Sequence, residues 1–295
     1  MLSILVPIYN YNVYPLVLEL HKQCTDCGIT FEILCQDDAS QSSLNVFNEN
    51  INALSNCSFD SLKKNLAHRE NRNSLAEKAQ FNYLLFIDGD SLIIHDNYIQ
   101  KYIENFTDFD ILYGGRLHPE KCPSDNQKLR WKYGRFFEDK AAVNRNKNQF
   151  QSLLFNNTVI KKDCFDKVKF DKNIKKYGHD DTQLSYHLSL LKSKVNHIEN
   201  PVEHGEIDTN LDYLNKTKES LENLITLYKE EKIAIDFIKL IQLYHFLKRT
   251  KSTFIISKLY SIIEKSLFKN LTGDNPNLLV FNMFRIGYLC TLNSK

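Results

Sequence analysis

Three short apolar runs, each closed by polar or acidic residues, constrain this chain more than any other feature. Residues 2–8 (LSILVPI) are β-prone and apolar almost without a break, the pattern of a strand buried on both faces. A polar break at Tyr9 to Asn12 follows, then a helix-compatible segment over about 13–27. Residues 30–35 (TFEILC) predict a second strand, ending at Gln36-Asp37-Asp38-Ala39-Ser40. A polar, helix-compatible stretch covers about 42–80, and residues 83–87 (YLLFI) predict a third buried strand ending at Asp88-Gly89-Asp90. This β-α-β-α-β alternation predicts an α/β fold with a mostly parallel sheet and right-handed crossovers. In open α/β sheets ligands bind beyond the carboxyl ends of the strands, so the three polar clusters are expected to converge on one site.

Further strands are expected at 109–113, 155–160 and 195–199. From about Asn210 the pattern turns helical, with Leu221, Leu224, Ile225, Tyr228, Ile233, Phe237 and Leu240 recurring at helical spacing. The 295 residues suffice for one large domain or two ordinary ones. With 42% hydrophobic and 25% charged residues the chain is neither disordered nor fibrous. Lys and Arg total 38 against 36 Asp and Glu, which leaves no overall electrostatic footprint for nucleic acid. The apolar run Ile4 to Ile8 is interrupted by Pro7 and has no basic residue before it, so it does not read as a signal peptide. No apolar stretch approaches the roughly 18 residues of a spanning helix. The seven cysteines read as reduced thiols of a cytoplasmic protein, and Asn105-Phe106-Thr107 as a chance sequon.

Asp88-Gly89-Asp90 is the sharpest chemical feature. Two carboxylates flanking a glycine after a buried strand place hard oxygen ligands where backbone can approach a ligand. That suits Mg²⁺ or Mn²⁺ bound through one or two carboxylates and substrate phosphates. Asp-Gly is also common turn chemistry; Asp37-Asp38 at the neighbouring strand end tips the reading towards a site. His21, Cys24 and Cys27 have zinc-like spacing but no second ligand pair nearby, so they read as residues of the first helix. Segment 116–148 is rich in Lys and Arg with interleaved aromatics: an active-site flap, an acceptor loop or a solvated surface. No nucleophile elbow or Walker loop is present.

The ordered set SILVPIYN, QDDAS, FIDGD, YGGR (Tyr113 to Arg116), WKYG (Trp131 to Gly134), YGHDD (Tyr177 to Asp181) and NPVEH (Asn200 to His204) resembles the family 2 glycosyltransferases, which have a GT-A fold. Asn65-Leu66-Ala67-His68 and Arg72-Asn73 match the family's helix before the metal motif. The resemblance covers about residues 1–205 and implies a GT-A domain with a Rossmann-like, mostly parallel sheet flanked by helices. Its nucleotide-sugar half would span about 1–115 and its acceptor half about 116–205, with 206–295 a helical C-terminal extension.

The same resemblance implies the site. Pro7, Tyr9 and Asp37 would line the nucleobase and ribose pocket, with Asp38 orienting the loop and Gly89 in the same donor site; Arg72, or Lys and Arg residues of segment 116–148, would help neutralise the departing diphosphate. Asp90 would be the direct metal ligand, Asp88 would address ribose and metal, and His204 would stand as a third ligand. Asp181 would be the base that deprotonates an acceptor hydroxyl. Asp180 stands where many relatives carry Glu, and the competing reading of both is an N-cap for a helix over Thr182–Leu191. Trp131 and His179 would face the acceptor and Arg116 the donor or acceptor sugar, Trp131 either stacking on a sugar or packing in a core.

The implied activity is a metal-dependent (Mn²⁺ or Mg²⁺), inverting hexosyl or N-acetylhexosaminyl transfer. The donor would be a UDP-sugar and the acceptor a glycan or lipid-linked glycan. The expected setting is the inner face of the envelope, with the helical tail, ending in LLVFNMFRIGYLC, able to touch a membrane or a second copy. A nucleotidyltransferase of related fold lacks support, because no glycine-rich basic loop follows the first strand. A catalytically silent glycan-binding scaffold is opposed by the intact Asp88/Asp90 pair.

Overall fold

The computed structural model of the chain describes residues 1–106, 108–174 and 176–292; Thr107 of the sequon lies outside the described residues. The chain divides into two compact units. The first holds Met1–Leu117, Asp139–Lys172 and His187–Gly205, and the second holds His118–Glu138, Asn173–Tyr186 and Glu206–Lys295. The boundary is thus interleaved, in place of the single cut expected near residue 205. Packing explains why: Leu129, from the 118–138 stretch, is buried in one cluster with Leu214, Tyr260 and Phe281.

The first unit carries the strands. In chain order they are β1 (Leu2–Ile8), β2 (Phe31–Asp37), β3 (Cys57–Ser61), β4 (Tyr83–Ile87), β5 (Ser91–Ile93), β6 (Ile111–Tyr113), β7 (Arg116–Leu117), β8 (Asn157–Lys161), β9 (Val195–His197) and β10 (Val202–His204). Seven of them form one sheet in the order β3-β2-β1-β4-β8-β6-β9, and the other three form a small sheet, β5-β10-β7. The β1–β2, β2–β3, β1–β4 and β6–β9 pairs are parallel, while β8 runs antiparallel to both β4 and β6. All seven residues of β1 are buried, as its unbroken apolar run predicts for a central strand.

Strand order reverses between β1 and β4, the place where α/β sheets open a crevice. Pairing of β1 with β4 stops at Leu5↔Phe86, while pairing with β2 continues to Ile8↔Asp37. Pro7 lies where the strands part, and its missing N–H suits a position with no ladder bond to give. Gly89 fills the split: a Cβ there would meet Val13 Cγ1 at 2.9 Å and the Pro7 carbonyl oxygen at 3.3 Å. The glycine is therefore required by the close approach of the two strand ends.

The sequence misses β3 and the small sheet. The polar stretch over 42–80 holds β3 as well as short helices and the helix His68–Lys78. β3 is an edge strand with mostly exposed residues, so it has no apolar run to announce it. The first helix, Tyr14–Asp26, carries His21 and Cys24 as expected. His21 contacts Ser55 and the Phe31 ring, and all seven cysteines are free thiols.

The second unit is helical. Its long helices are Asn210–Lys229, Lys239–Arg249, Thr253–Thr272 and Leu278–Thr291. Leu221, Leu224 and Ile225 are buried with Ile241, Tyr244, Leu289 and Cys290, which bears out their helical spacing. Thr209 caps the first of these helices by accepting from the Asp212 N–H, and Asn277 caps the last by accepting from Leu279. Among the described residues no helix is long and apolar enough to cross a membrane.

Candidate functional site

A cleft of about 330 Å³ opens in the first unit at the β1/β4 divergence, lined by Pro7, Ile8, Tyr9, Asp38, Asn65, Ala67, His68 and Asn71. Tyr9 is 64% exposed there, an aromatic ring held in solvent against a concave surface, which suits stacking on a planar ligand. The wall opposite is the start of the helix His68–Lys78. Its approach is fixed by Asp38, whose Oδ1 accepts the Leu66 N–H at 2.6 Å, and by Asn65, which donates to the Asp38 carbonyl at 2.8 Å.

The two adjacent acids at the end of β2 exchange the roles expected from the sequence. Asp37 is fully buried and holds the loop: it accepts from Ser40 N–H, Ser40 hydroxyl and Ser61 hydroxyl at 3.0, 2.6 and 3.0 Å. Asp38, not Asp37, lines the cleft. Burial pushes the Asp38 carboxyl up from its ordinary value, and the Asp37 charge adds to that, against the Leu66 and Ala67 N–H groups and His68, which oppose it.

Asp88 and Asp90 follow β4 and have different partners. Arg72 is 2% exposed on the helix His68–Lys78 and donates to Asp88 Oδ1 at 2.6 Å. Its guanidinium also lies 5.3 Å above the Phe170 ring. Burial alone would raise the Asp88 carboxyl, but the Arg72 and His68 charges and the Arg72 hydrogen bond hold it below its ordinary range. Asp88 thus serves Arg72 at one oxygen, a partner additional to the ribose and metal that the resemblance implies.

Asp90 instead meets His204, with Oδ2 3.1 Å from Nδ1. The pair is brought together by the small sheet. In the β5–β10 ladder His204 stands opposite Ser91, and the Gly205 N–H donates to the Asp90 carbonyl at 2.8 Å. Both side chains keep about a fifth of their surface in solvent. Among the described residues no group of three or more His, Cys, Asp or Glu forms a ready cage for a metal ion. A two-ligand face of one carboxylate and one imidazole still fits Mn²⁺ or Mg²⁺, which take their other ligands from water and substrate phosphates.

β10 is held in place by a buried network that sequence reasoning did not find. Asn157, fully buried, accepts from the Tyr98 and Tyr102 hydroxyls at 2.6 Å each and donates to the carbonyls of Gly115 and Asn200 at 2.8 and 2.9 Å. All the hydrogen-bonding capacity of its amide is used. Asn200 donates in turn to the Tyr98 carbonyl at 2.9 Å. Arg116, half-buried in β7, pairs with β10 at Val202. Arg145 is buried over the Tyr113 ring and donates to the Gly114 and Ile198 carbonyls. This ties down the end of the 116–148 segment in the first unit, so Arg145 is structural.

The remaining candidates lie in the second unit. Trp131 sits on the helix Lys128–Tyr133, half-buried, and its indole N–H donates to the Pro119 carbonyl at 2.7 Å. Gly178 (φ +84) and His179 (φ +62) form a left-handed turn that launches the helix Asp180–Leu190. That helix starts two residues earlier than expected, so Asp181 belongs to its first turn and is no N-cap. Asn223 donates to the Gly178 carbonyl, and the Tyr177 N–H donates to Glu219 at 2.9 Å, fixing the turn on the helix Asn210–Lys229. Burial and the Arg285 charge push His179 down to about 4, against the opposing Asp180, so the ring is neutral near pH 7.

The family model for glycosyl transferase family 2 matches residues 3–168. No curated protein matches the chain in sequence. Among solved structures, S. aureus TarS 1–349 in complex with UDP-GlcNAc is similar at TM-score 0.54 and 14% identity, over 99% of this chain and 90% of that one. A mannosyltransferase from Pyrobaculum calidifontis, in complex with GDP-Man and Mn²⁺, is similar at TM-score 0.56 and 10% identity, over 100% of this chain and 87% of that one. At these identities the likeness establishes the fold.

Proposed function

Because the chain belongs to glycosyl transferase family 2 and is a glycosyltransferase of GT-A fold, we propose that it moves a sugar from a UDP-sugar to a glycan hydroxyl with inversion, aided by Mn²⁺ or Mg²⁺. The observation that carries this reading is the cleft at the β1/β4 divergence with the Asp90–His204 pair in the same unit. The products fit the synthesis of a surface polysaccharide or a related glycoconjugate.

Tyr9 stacks on the nucleobase, and Asp38 accepts from its ring N–H. Pro7 and Gly89 shape the cleft's floor by keeping backbone bulk out of it. Asp90 and His204 hold the metal ion, which when bound neutralises charge on the departing diphosphate. Arg72 fixes Asp88 so that its free oxygen faces the ribose. Asp181 takes the proton from the acceptor hydroxyl as that oxygen bonds to the anomeric carbon. The bond from that carbon to the diphosphate breaks on the opposite face, and UDP leaves. Asp180, His179, Arg116 and Trp131 complete the acceptor side of this assignment.

Calorimetric titration of UDP with and without Mn²⁺, on wild type and Asp90→Ala, tests the donor site. Binding is expected to require Mn²⁺ and to weaken at least about tenfold in the variant, the loss of one charge-bearing ligand. Failure of UDP to bind in either condition overturns the donor assignment, and tighter binding of GDP would replace the base.

A further inference from the structure

The C-terminal helices separate charge and apolar surface in a way that the transfer reaction does not use. Between Lys239 and Thr272 there are seven Lys and Arg against one Glu, in a chain whose total charge is only +2. That single acid, Glu264, is engaged by Lys218 and the Tyr260 hydroxyl. Lys251, Lys258, Lys265 and Lys269 make no ion pair among the described residues.

The helix Thr253–Thr272 buries one face, through Ser257, Tyr260, Leu267 and Leu271. Its opposite face is equally apolar: Ile255, Leu259 and Ile262 are 60, 55 and 78% exposed. At 100° per residue these three lie within one narrow stripe, and Lys258, Lys265 and Lys269 fall together along one flank of it, with Lys251 in the turn just before the helix. Phe254 is exposed beside them, with Lys258 Nζ 5.0 Å from its ring centre. The preceding helix repeats the arrangement, with Leu243 and Phe246 exposed between Lys239 and Arg249. The final stretch, which the sequence offered as a docking segment, buries Phe281, Phe284, Leu289 and Cys290 in the second unit and leaves Leu279 and Met283 exposed without the row of lysines.

We propose that this face docks on an anionic lipid surface, the Ile255–Leu259–Ile262 stripe entering the headgroup boundary and the lysines contacting acidic headgroups. Charge complementarity selects this occupant. A second copy would set two rows of unpaired lysines against each other, and like charges in register repel. Nucleic acid would match the cations but give the aliphatic stripe nothing to stack on. An anionic bilayer satisfies both, as an interfacial helix with apolar and basic faces does. The inference does not depend on the donor assignment, since none of these residues belongs to the cleft.

Flotation of the full chain with phosphatidylglycerol–phosphatidylcholine vesicles, against phosphatidylcholine alone, tests it. Binding is expected only to the anionic vesicles and is expected to fall as salt is raised. Lys258→Glu with Lys265→Glu is expected to lower the partition coefficient about a hundredfold, and Ile255→Ser with Ile262→Ser about tenfold. All four positions are exposed, so the circular dichroism and Tm of the variants should match wild type. Equal binding to neutral vesicles overturns the proposal, as does binding to neither, whether or not light scattering shows a dimer.

Discussion

Asp181→Asn is expected to lower the turnover number for sugar transfer by about a thousandfold while leaving Mn²⁺-dependent UDP affinity within about twofold of wild type. The substitution removes the base and keeps the side chain's size. Asparagine has the shape of aspartate, and in the first turn of an 11-residue helix the lost charge costs only about 0.3–1 kcal/mol of helix-dipole energy. The neighbouring turn keeps its anchors, because Asn223 and Glu219 bind backbone groups of Gly178 and Tyr177 and not the Asp181 side chain. A general base also leaves a pH signature. If Asp181 is the base, wild-type kcat is expected to fall on the acid side as it takes up a proton, and in Asp181→Asn that limb should vanish with the activity. Asp180→Asn is the comparison: one position earlier, it should change KM for the acceptor more than kcat. Residual turnover above about a tenth of wild type would remove Asp181 from the mechanism. Loss of UDP binding would make it a donor-side or structural residue instead.

The parts of this molecule legible in the sequence are those whose physics is local. β1, β2 and β4 announce themselves because strands covered on both faces need unbroken apolar runs. The acidic clusters announce themselves because each directly follows such a run. The start of the helical tail reads correctly because burial of one face imposes a 3.6-residue period, which Leu221, Leu224 and Ile225 obey; Ile233 and Phe237, expected to continue it, lie in the break between Lys229 and Lys239. What the sequence hides is set by partners far along the chain. β5, β7 and β10 have two or three residues each, too few for any period, yet β10 is what carries His204 to Asp90. Nothing near Asn157 marks it as the residue on which the Tyr98 and Tyr102 hydroxyls converge. The different surroundings of Asp37 and Asp38 are hidden for a related reason. Both sit at a strand end, and only the Ser40 and Ser61 hydroxyls, the second of them on β3, decide which carboxylate turns inward. The interleaved boundary between the units likewise rests on Leu129 meeting residues more than 80 positions away.

Arg72→Met is expected to destabilise the first unit by about 2 kcal/mol and to weaken donor binding with it. Breaking a fully buried ion pair costs about 3–5 kcal/mol; Asp88 keeps 28% of its side chain exposed, so solvent recovers part of the loss. Methionine is long enough to fill the space over Phe170, which confines the change to charge and hydrogen bonding. Asp88 gives the prediction a direction in pH. Its carboxyl titrates below its ordinary value of 3.8 in the folded chain. The pairing therefore adds stability fully present above that value, and lost as pH falls through the folded-state pKa. Urea unfolding at neutral pH should separate wild type from Arg72→Met, and the difference should shrink on acidification towards pH about 3. Arg72→Lys should recover only part of the loss, since an ammonium neither stacks flat on Phe170 nor holds the carboxylate with guanidinium geometry. A double-mutant cycle with Asp88→Asn isolates the pair. Coupling of about 1 kcal/mol or more is expected; additive effects would mean that Arg72 supports the cleft through contacts other than Asp88, and that Asp88 holds its place without it.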